Sequence, residues 1–244
     1  MRLTLPALLA AALLLTQPVH AEMTAAERDS FRAEVRAYLL ENPEVIVEAM
    51  DMLQGREHSA EVARDRQMLE DQAAAIFDDP ASWVGGNLQG DITIVEFIDY
   101  RCGYCRKAND EVAELVASDG NIRLIFKEFP ILGEASLLSS RFAISVLQLH
   151  GAAPYKTAHD ALIALRGEPD QATLIRLAED LGLDPTAILA QMPTDAVTSV
   201  IKANHALADV MQISGTPTFV VNGVMVRGYV PLEGMRQIVA AERG

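Results

Sequence analysis

The sequence has little cysteine, little aromatic surface and few cations. Its only two cysteines are Cys102 and Cys105, its only tryptophan is Trp83, and aromatic residues make up 5% of 244 residues. Lys and Arg number 20 against 34 Asp and Glu, for a formal net charge of −14. Phosphate backbones and anionic lipid surfaces attract clustered cations, so neither nucleic acid nor an anionic membrane is an expected partner. The acidity suits solubility instead. A zinc site needs four ligands. Two cysteines could be completed only by histidines, and His58, His150, His159 and His205 are scattered through helical stretches without ligand spacing. They read as surface or locally hydrogen-bonded residues, and no metal is expected. One apolar run is long, Leu3 to Leu15, and it falls short of the roughly 20 residues a membrane span needs.

That run follows Arg2 and precedes a small-residue pattern with Val19 and Ala21 at its outer positions. Residues 1–21 therefore read as a secretory signal cut after Ala21, with an uncleaved anchor as the alternative. No lipobox cysteine follows. The mature chain is expected in an oxidising, exported compartment.

Residues 22–80 read as a separate α-helical arm. Thr24 and Glu27 make a capping box, and Phe31, Val35, Tyr38 and Leu39 fall on one helix face. Asn42-Pro43 ends that helix and starts another, whose stripe is Val45, Ile46, Ala49, Met50 and Leu53. The stretch from Gln54 to Gln67 is polar almost all round, with Gly55 as the expected hinge. The apolar stripes need a partner surface. We read them as an oligomerisation arm, the alternative being that they fold back on the catalytic domain.

A turn-rich segment, DDPASWVGGNLQGD, marks the boundary to a domain spanning 81–244. DITIVEFIDY is a continuously apolar strand, CRKANDEVAELVAS a helix and NIRLIFKEFPI a second strand. Residues 134–211 are helical in pattern. TPTFVV and VMVRG flank the Asn222-Gly223 hairpin turn, and a last helix closes the chain. The order β, α, β, helices, hairpin, α implies an α/β core with a right-handed βαβ unit and a helical insertion.

Cys102 and Cys105 sit where the first strand gives way to the helix. A disulfide closing so short a loop removes little chain entropy, so a structural staple is a poor use of them. A thiol at a helix N-terminus faces unsatisfied N–H groups and the positive end of the helix dipole, which lowers its pKa. Redox chemistry is the expected use: Cys102 as exposed nucleophile, Cys105 as the more buried resolving thiol. The redox-active pair is then the only prosthetic chemistry needed, and no cofactor is expected. Arg101 adds a solvated cation, Gly103 leaves room for a substrate backbone, and Tyr104 lends no charge. Glu96, inside the apolar strand, is either an outward-facing edge residue or a buried acid that accepts the Cys105 proton. Thr216-Pro217 opens a later strand, as an ordinary trans turn or as a cis bond presenting backbone to a peptide. The methionines Met192, Met211, Met225 and Met235 read as core filling rather than as ligands, though two thiolates alone could take Cu(I).

VEFIDYRCGYC, the helical insertion, SGTPTFVVNG and the last helix together resemble the DsbA-like thioredoxin-fold family of exported thiol–disulfide oxidoreductases, over roughly residues 87–244. The resemblance implies a thioredoxin-like fold, a cis-proline loop at Thr216-Pro217 beside Cys102, and Glu96 as the buried acid. The arm resembles that of the ScsC branch, whose members can form trimers and shuffle disulfides. Gly103-Tyr104 resembles the centre of the DsbC isomerases rather than the Pro-His of strongly oxidising members. The implied function is an isomerase or reductase acting on proteins with free thiols or wrong disulfides, served by a membrane redox partner. A monomeric dithiol oxidase and a Cu(I)-binding module are the alternatives. The implied location is the periplasm; some acidic relatives with such an arm associate with the outer membrane.

Overall fold

The computed structural model describes residues 23–244, so the expected signal peptide lies outside the described residues. Two compact units divide between Glu57 and His58. In the first, α1 (Ala25–Glu41) opens on the expected capping box: Glu27 N–H donates to the Thr24 hydroxyl at 3.3 Å, and Thr24 N–H donates to the Glu27 carboxylate at 2.8 Å. Asn42 ends the helix, its N–H and side-chain amide both donating to the Tyr38 carbonyl. α2 (Glu44–Asp71) follows. α1 buries no residue, and Phe31, Val35, Tyr38, Ile46, Met50 and Leu53 are exposed.

Two expectations for the arm are corrected. Gly55 does not break α2, which passes through it as a 28-residue helix. One glycine costs about 1 kcal/mol against alanine, which strong helix formers on either side absorb. The domain boundary falls at residue 57, not 80. Residues 58–80 belong to the second unit because Leu69 of α2 and Ile76 of the short α3 (Ala73–Phe77) are buried in its core. Asp65 also takes both guanidinium nitrogens of Arg227, at 2.6 and 2.8 Å. The sequence does show Leu69, Ala73, Ile76 and Phe77 resuming an apolar stripe after the polar stretch; what it does not show is which surface that stripe meets.

The second unit is built on a five-stranded sheet: β1 (Trp83–Gly86), β2 (Ile92–Ile98), β3 (Ile122–Glu128), β4 (Thr218–Val221) and β5 (Val224–Arg227), in the order β1-β3-β2-β4-β5. β2 and β3 run parallel, joined by α4 (Gly103–Asp119), and the other pairs are antiparallel. Asn222 turns the β4–β5 hairpin with φ of 45°, in the left-handed region asparagine tolerates. Side chains alternate across a strand. Ile92, Ile94 and Ile98 of β2 join the cluster holding α4 and α10 (Leu232–Arg243), while Val95 and Phe97 join the one with Leu69, Ile76 and Met211. Both faces are covered, which is why β2 is apolar throughout.

The helical insertion is α5 (Glu134–His150), α6 (Ala152–Ala164), α7 (Gln171–Asp180), α8 (Pro185–Gln191) and α9 (Asp195–Val210). Side chains of Asp170, Asp184 and Thr194 cap three of these helices. β1 was hidden in the segment read as a turn. It has four residues, two of them glycine; a Cβ on Gly85 would overlap the Trp83 ring, and Gly86 needs φ of +68°. Pairing with β3, not propensity, makes it a strand.

Candidate active site

β2 ends at Ile98, and the chain turns through Asp99, Tyr100 and Arg101 before Cys102 caps α4. Asp99 holds that turn. Its buried carboxylate accepts from Arg101 N–H at 2.8 Å, Ser136 Oγ–H at 2.7 Å, and the N–H groups of Ile131 and Leu132 at 2.8 and 3.0 Å. Its carbonyl accepts from Cys102 N–H at 3.0 Å. Sequence reasoning missed this residue. The available signal was an acid directly after a buried strand and three residues before the first cysteine.

The cysteines divide as expected, with one difference. Cys105 is fully buried in the α4 face of the core. Cys102 is more accessible but only 8% exposed, not the open thiol anticipated. Its cover is the Thr216-Pro217 loop, whose peptide bond is cis. In the thiol form Cys102 Sγ donates to the Thr216 carbonyl at 3.1 Å. β2–β4 pairing sets that loop against α4, with Phe97 opposite Thr218, and Gly228 N–H donates to the Pro217 carbonyl at 2.9 Å. Both cysteines are free thiols.

The Cys102 pKa is lowered to about 5. The largest cause is a hydrogen bond from the Cys105 thiol; burial opposes it, and the Thr216 side chain and the N–H groups of Cys105 and Tyr104 support it. Cys105 is pushed strongly upward, first by hydrogen bonding to Cys102, then by burial and the charge of Glu96.

Glu96 lies on the β2 face that carries Ile94 and Ile98, pointing toward α4, and is 1% exposed. The edge-residue reading is therefore wrong. Its Oε1 has no partner, and it lines a cavity of about 180 Å³ with Asn109 and Lys156. Burial, then the charge of Cys102, raises its pKa to about 8. The Cys102, Cys105 and Glu96 charges thus perturb one another.

Gly103 is open: a Cβ there would meet nothing within 4 Å. Tyr104 is 62% exposed and stacks on Tyr229, centroids 6.0 Å apart. The Tyr229 hydroxyl donates to Glu111 at 2.7 Å, and the Lys107 ammonium sits 4.3 Å from the Tyr229 ring centroid. Tyr229, Lys107 and Glu111 were not foreseen, because residues 107 and 229 meet only in the fold. A second buried acid, Glu128, was also missed. It accepts from the hydroxyls of Tyr100 and Tyr155 at 2.7 and 2.6 Å. His159 bonds Tyr100 and Asn109, each at 3.2 Å, so this histidine is locally hydrogen-bonded and buried. Among the described residues, no three His, Cys, Asp or Glu side chains converge as a metal site would require.

Residues 93–240 match the family described as DSBA-like thioredoxin domain, and residues 27–60 match the copper resistance protein ScsC N-terminal domain. A thioredoxin-like oxidoreductase from Silicibacter pomeroyi DSS-3 is 38% identical, with a TM-score of 0.66 over 70% of this chain and 96% of that one. BcfH from Salmonella enterica Typhimurium is 28% identical, with a TM-score of 0.73 over 90% of this chain and 97% of that one. A curated relative, the Na(+)/H(+) antiporter NhaA 3 of Salinispora tropica, is 29% identical over 64% of this chain, which spans only 24% of that protein's length. The cysteine pair at a helix start, the cis-proline loop against it and the match over residues 93–240 agree: the chain belongs to the DSBA-like thioredoxin domain family.

Proposed function

We propose that the protein is an exported, periplasmic disulfide isomerase or reductase, resting as the dithiol and acting on proteins with free thiols or wrong disulfides. The observation that carries this reading is the division between the sulfurs: Cys102 held as a thiolate with a pKa of about 5, Cys105 sealed in the core and strongly raised. Stabilising the thiolate stabilises the dithiol against the disulfide, which supports a reduced resting state ready to attack wrong disulfides. Because the same stabilisation makes the disulfide form more oxidising, the tilt toward reshuffling comes from Gly103-Tyr104 and the N-terminal arm.

In the first step the Cys102 thiolate donates its electron pair to one sulfur of a substrate disulfide. That S–S bond breaks, and the second substrate sulfur leaves with the pair and takes a proton from solvent. The mixed disulfide has two exits. Another substrate thiolate can attack the Cys102-bound substrate sulfur, forming a new substrate disulfide and returning Cys102; this is isomerisation without net redox change. Alternatively Cys105 gives its proton to Glu96 and attacks Cys102 Sγ, releasing the substrate as a thiol and leaving Cys102–Cys105 oxidised. Glu96, with a pKa near 8, is matched to that proton transfer near neutral pH. Gly103, Tyr104, Thr216 and Pro217 form the surface the substrate backbone meets. The second exit reduces the substrate by two electrons, so a membrane redox partner must return them. No cofactor beyond the redox pair is required.

The exposed apolar residues of α1 and α2 support a homo-oligomer built through the arm, with several active sites facing one substrate. The low pKa of Cys102 also favours a second reading, a monomeric oxidase donating its disulfide. Alkylation trapping of the pair in cells separates them: mostly reduced supports isomerase or reductase, mostly oxidised supports oxidase. Cys102→Ala is expected to abolish insulin reduction and scrambled-ribonuclease repair. Full repair activity in that variant would sink the assignment.

A further inference from the structure

The chain carries a net charge of −14, yet the seven residues from Arg101 to Lys107 contain three cations and no acid. Elsewhere in the second unit some cations pair with carboxylates: Arg227 with Asp65, Arg236 with Glu114, Arg243 with Asp91 and Asp119, Lys127 with Asp79 and Lys156 with Asp160. Others, such as Arg123 and Arg141, bond only carbonyl or hydroxyl oxygens. What sets the Arg101–Lys107 stretch apart is three cations clustered beside the nucleophile. None of the three beside Cys102 has a carboxylate within 4 Å among the described residues. Arg101 spends one guanidinium nitrogen on the Gly167 carbonyl. Arg106 donates from Nε to the Tyr100 carbonyl at 3.0 Å, and its buried Nη2 has no partner. Lys107 lies over the Tyr229 ring.

Hydrogen bonds do not neutralise the nearby acids, but their oxygens are directed to other donors rather than to these cations. Asp99 is buried and accepts four hydrogen bonds. Glu111 accepts from the Tyr229 hydroxyl and from Leu232 N–H. Asp110 takes the side-chain amide of Asn109 at 3.1 Å. The result is a flat wall, Tyr104 on Tyr229, braced by Glu111, with three cations that form no ion pair clustered beside the nucleophile and open space over Gly103.

We propose that this mouth selects disulfides flanked by carboxylates: an acidic peptide segment lies along the Tyr104–Tyr229 wall with its carboxylates on Arg101 and Lys107, while Arg106 adds positive charge at the start of α4. The proposal rests on the disulfide-exchange reading above and names the substrate class for it. Opposite charge at the mouth raises the encounter rate and orients the segment before thiolate attack.

The test uses the full chain in its reduced form and three peptides that differ only around their cysteine: Glu-Cys-Glu, Gln-Cys-Gln and Lys-Cys-Lys. Each is disulfide-linked to 2-thiopyridine, and the release of thiopyridone reports attack by Cys102. The expected order is Glu faster than Gln faster than Lys, with about a tenfold spread at low salt. The spread should collapse at roughly 0.5 M salt, where screening acts within a few ångströms. Arg101→Gln with Lys107→Gln should shrink the spread by about threefold. The Gln peptide is the internal reference, since a folding defect slows all three peptides alike. Equal rates, or the Lys peptide reacting fastest, would overturn the selectivity and leave the exchange activity standing. Three unreactive peptides would overturn the exchange activity and the selectivity with it.

Discussion

The two units break the rule of apolar inside and polar outside in opposite directions. Through residue 57 the arm leaves Phe31, Tyr38, Ile46 and Met50 in solvent. The second unit buries Glu96, Asp99, Lys127 and Glu128. An exposed apolar stripe on a helix stabilises nothing until another surface covers it. A buried charge costs several kcal/mol unless partners offset it. Asp99 and Lys127 are offset, the latter by Asp79 at 2.6 Å and the Ala75 carbonyl at 2.7 Å. Glu96 is not, and it sits beneath the redox pair. Among the described residues Glu128 Oε2 and Arg106 Nη2 also lack a partner, but Glu128 Oε1 and Arg106 Nε are bonded. The least compensated departures are the arm stripe, which supports the proposed assembly, and Glu96, which supports the proposed proton transfer.

The largest effect is expected from the arm. Phe31→Asp with Ile46→Asp should reduce the mass seen by light scattering to that of a single chain. Scrambled-ribonuclease repair should fall to background while insulin reduction persists. Unchanged mass would make the exposed stripe a feature without a partner, and the contrast between the units would lose its first half.

Glu96→Gln breaks the second half. Without a proton acceptor, the Cys105 attack on the mixed disulfide should slow by about a hundredfold in stopped-flow traces at pH 7. Stability should move the other way. The folded-state pKa is about 8 against an ordinary value of 4.5, so folding disfavours the ionised carboxyl. Its contribution is fully present below pH about 4.5 and is lost as pH rises through about 8. Denaturant midpoints for Glu96→Gln should match wild type near pH 4.5 and exceed it at pH 9. A variant no more stable at pH 9 would mean that Glu96 is compensated after all.

The smallest effect should come from Thr24→Ala. It removes the capping box and about 1 kcal/mol of helix stability from α1. Melting of the second unit, which contains none of those bonds, should not move. A shifted core transition would show that the units do not unfold separately.

Much of this was legible in the residues. The β2–α4–β3 order, the Asn222-Gly223 hairpin and the arm's capping box rest on local patterns that tertiary packing had no reason to override. The placement of Cys102 and Cys105 followed from their offset of three at a helix start, which puts one sulfur at the N-terminus and the other one turn inside. β1 was not legible, because four residues with two glycines become a strand only when β3 offers its edge. Nor was the boundary, since the stripe of Leu69, Ala73, Ile76 and Phe77 is legible but the surface that covers it is set by the fold. Tyr229 lies more than a hundred residues of chain from Lys107 and Glu111, and the three have meaning only where the cis-proline loop, β5 and α4 meet.

The sequence by itself determined that a redox pair caps a helix after a strand buried on both faces, because local spacing and periodicity specify those things. Only the tertiary structure decided that Glu96 points toward the pair rather than to solvent, since a side chain's face depends on which elements cover the sheet. It also decided that the Thr216-Pro217 loop covers Cys102, because β2–β4 pairing joins segments more than a hundred residues apart. And it decided that the cations from Arg101 to Lys107 stand unpaired, since charge in a sequence says nothing of which carboxylates the fold has already engaged.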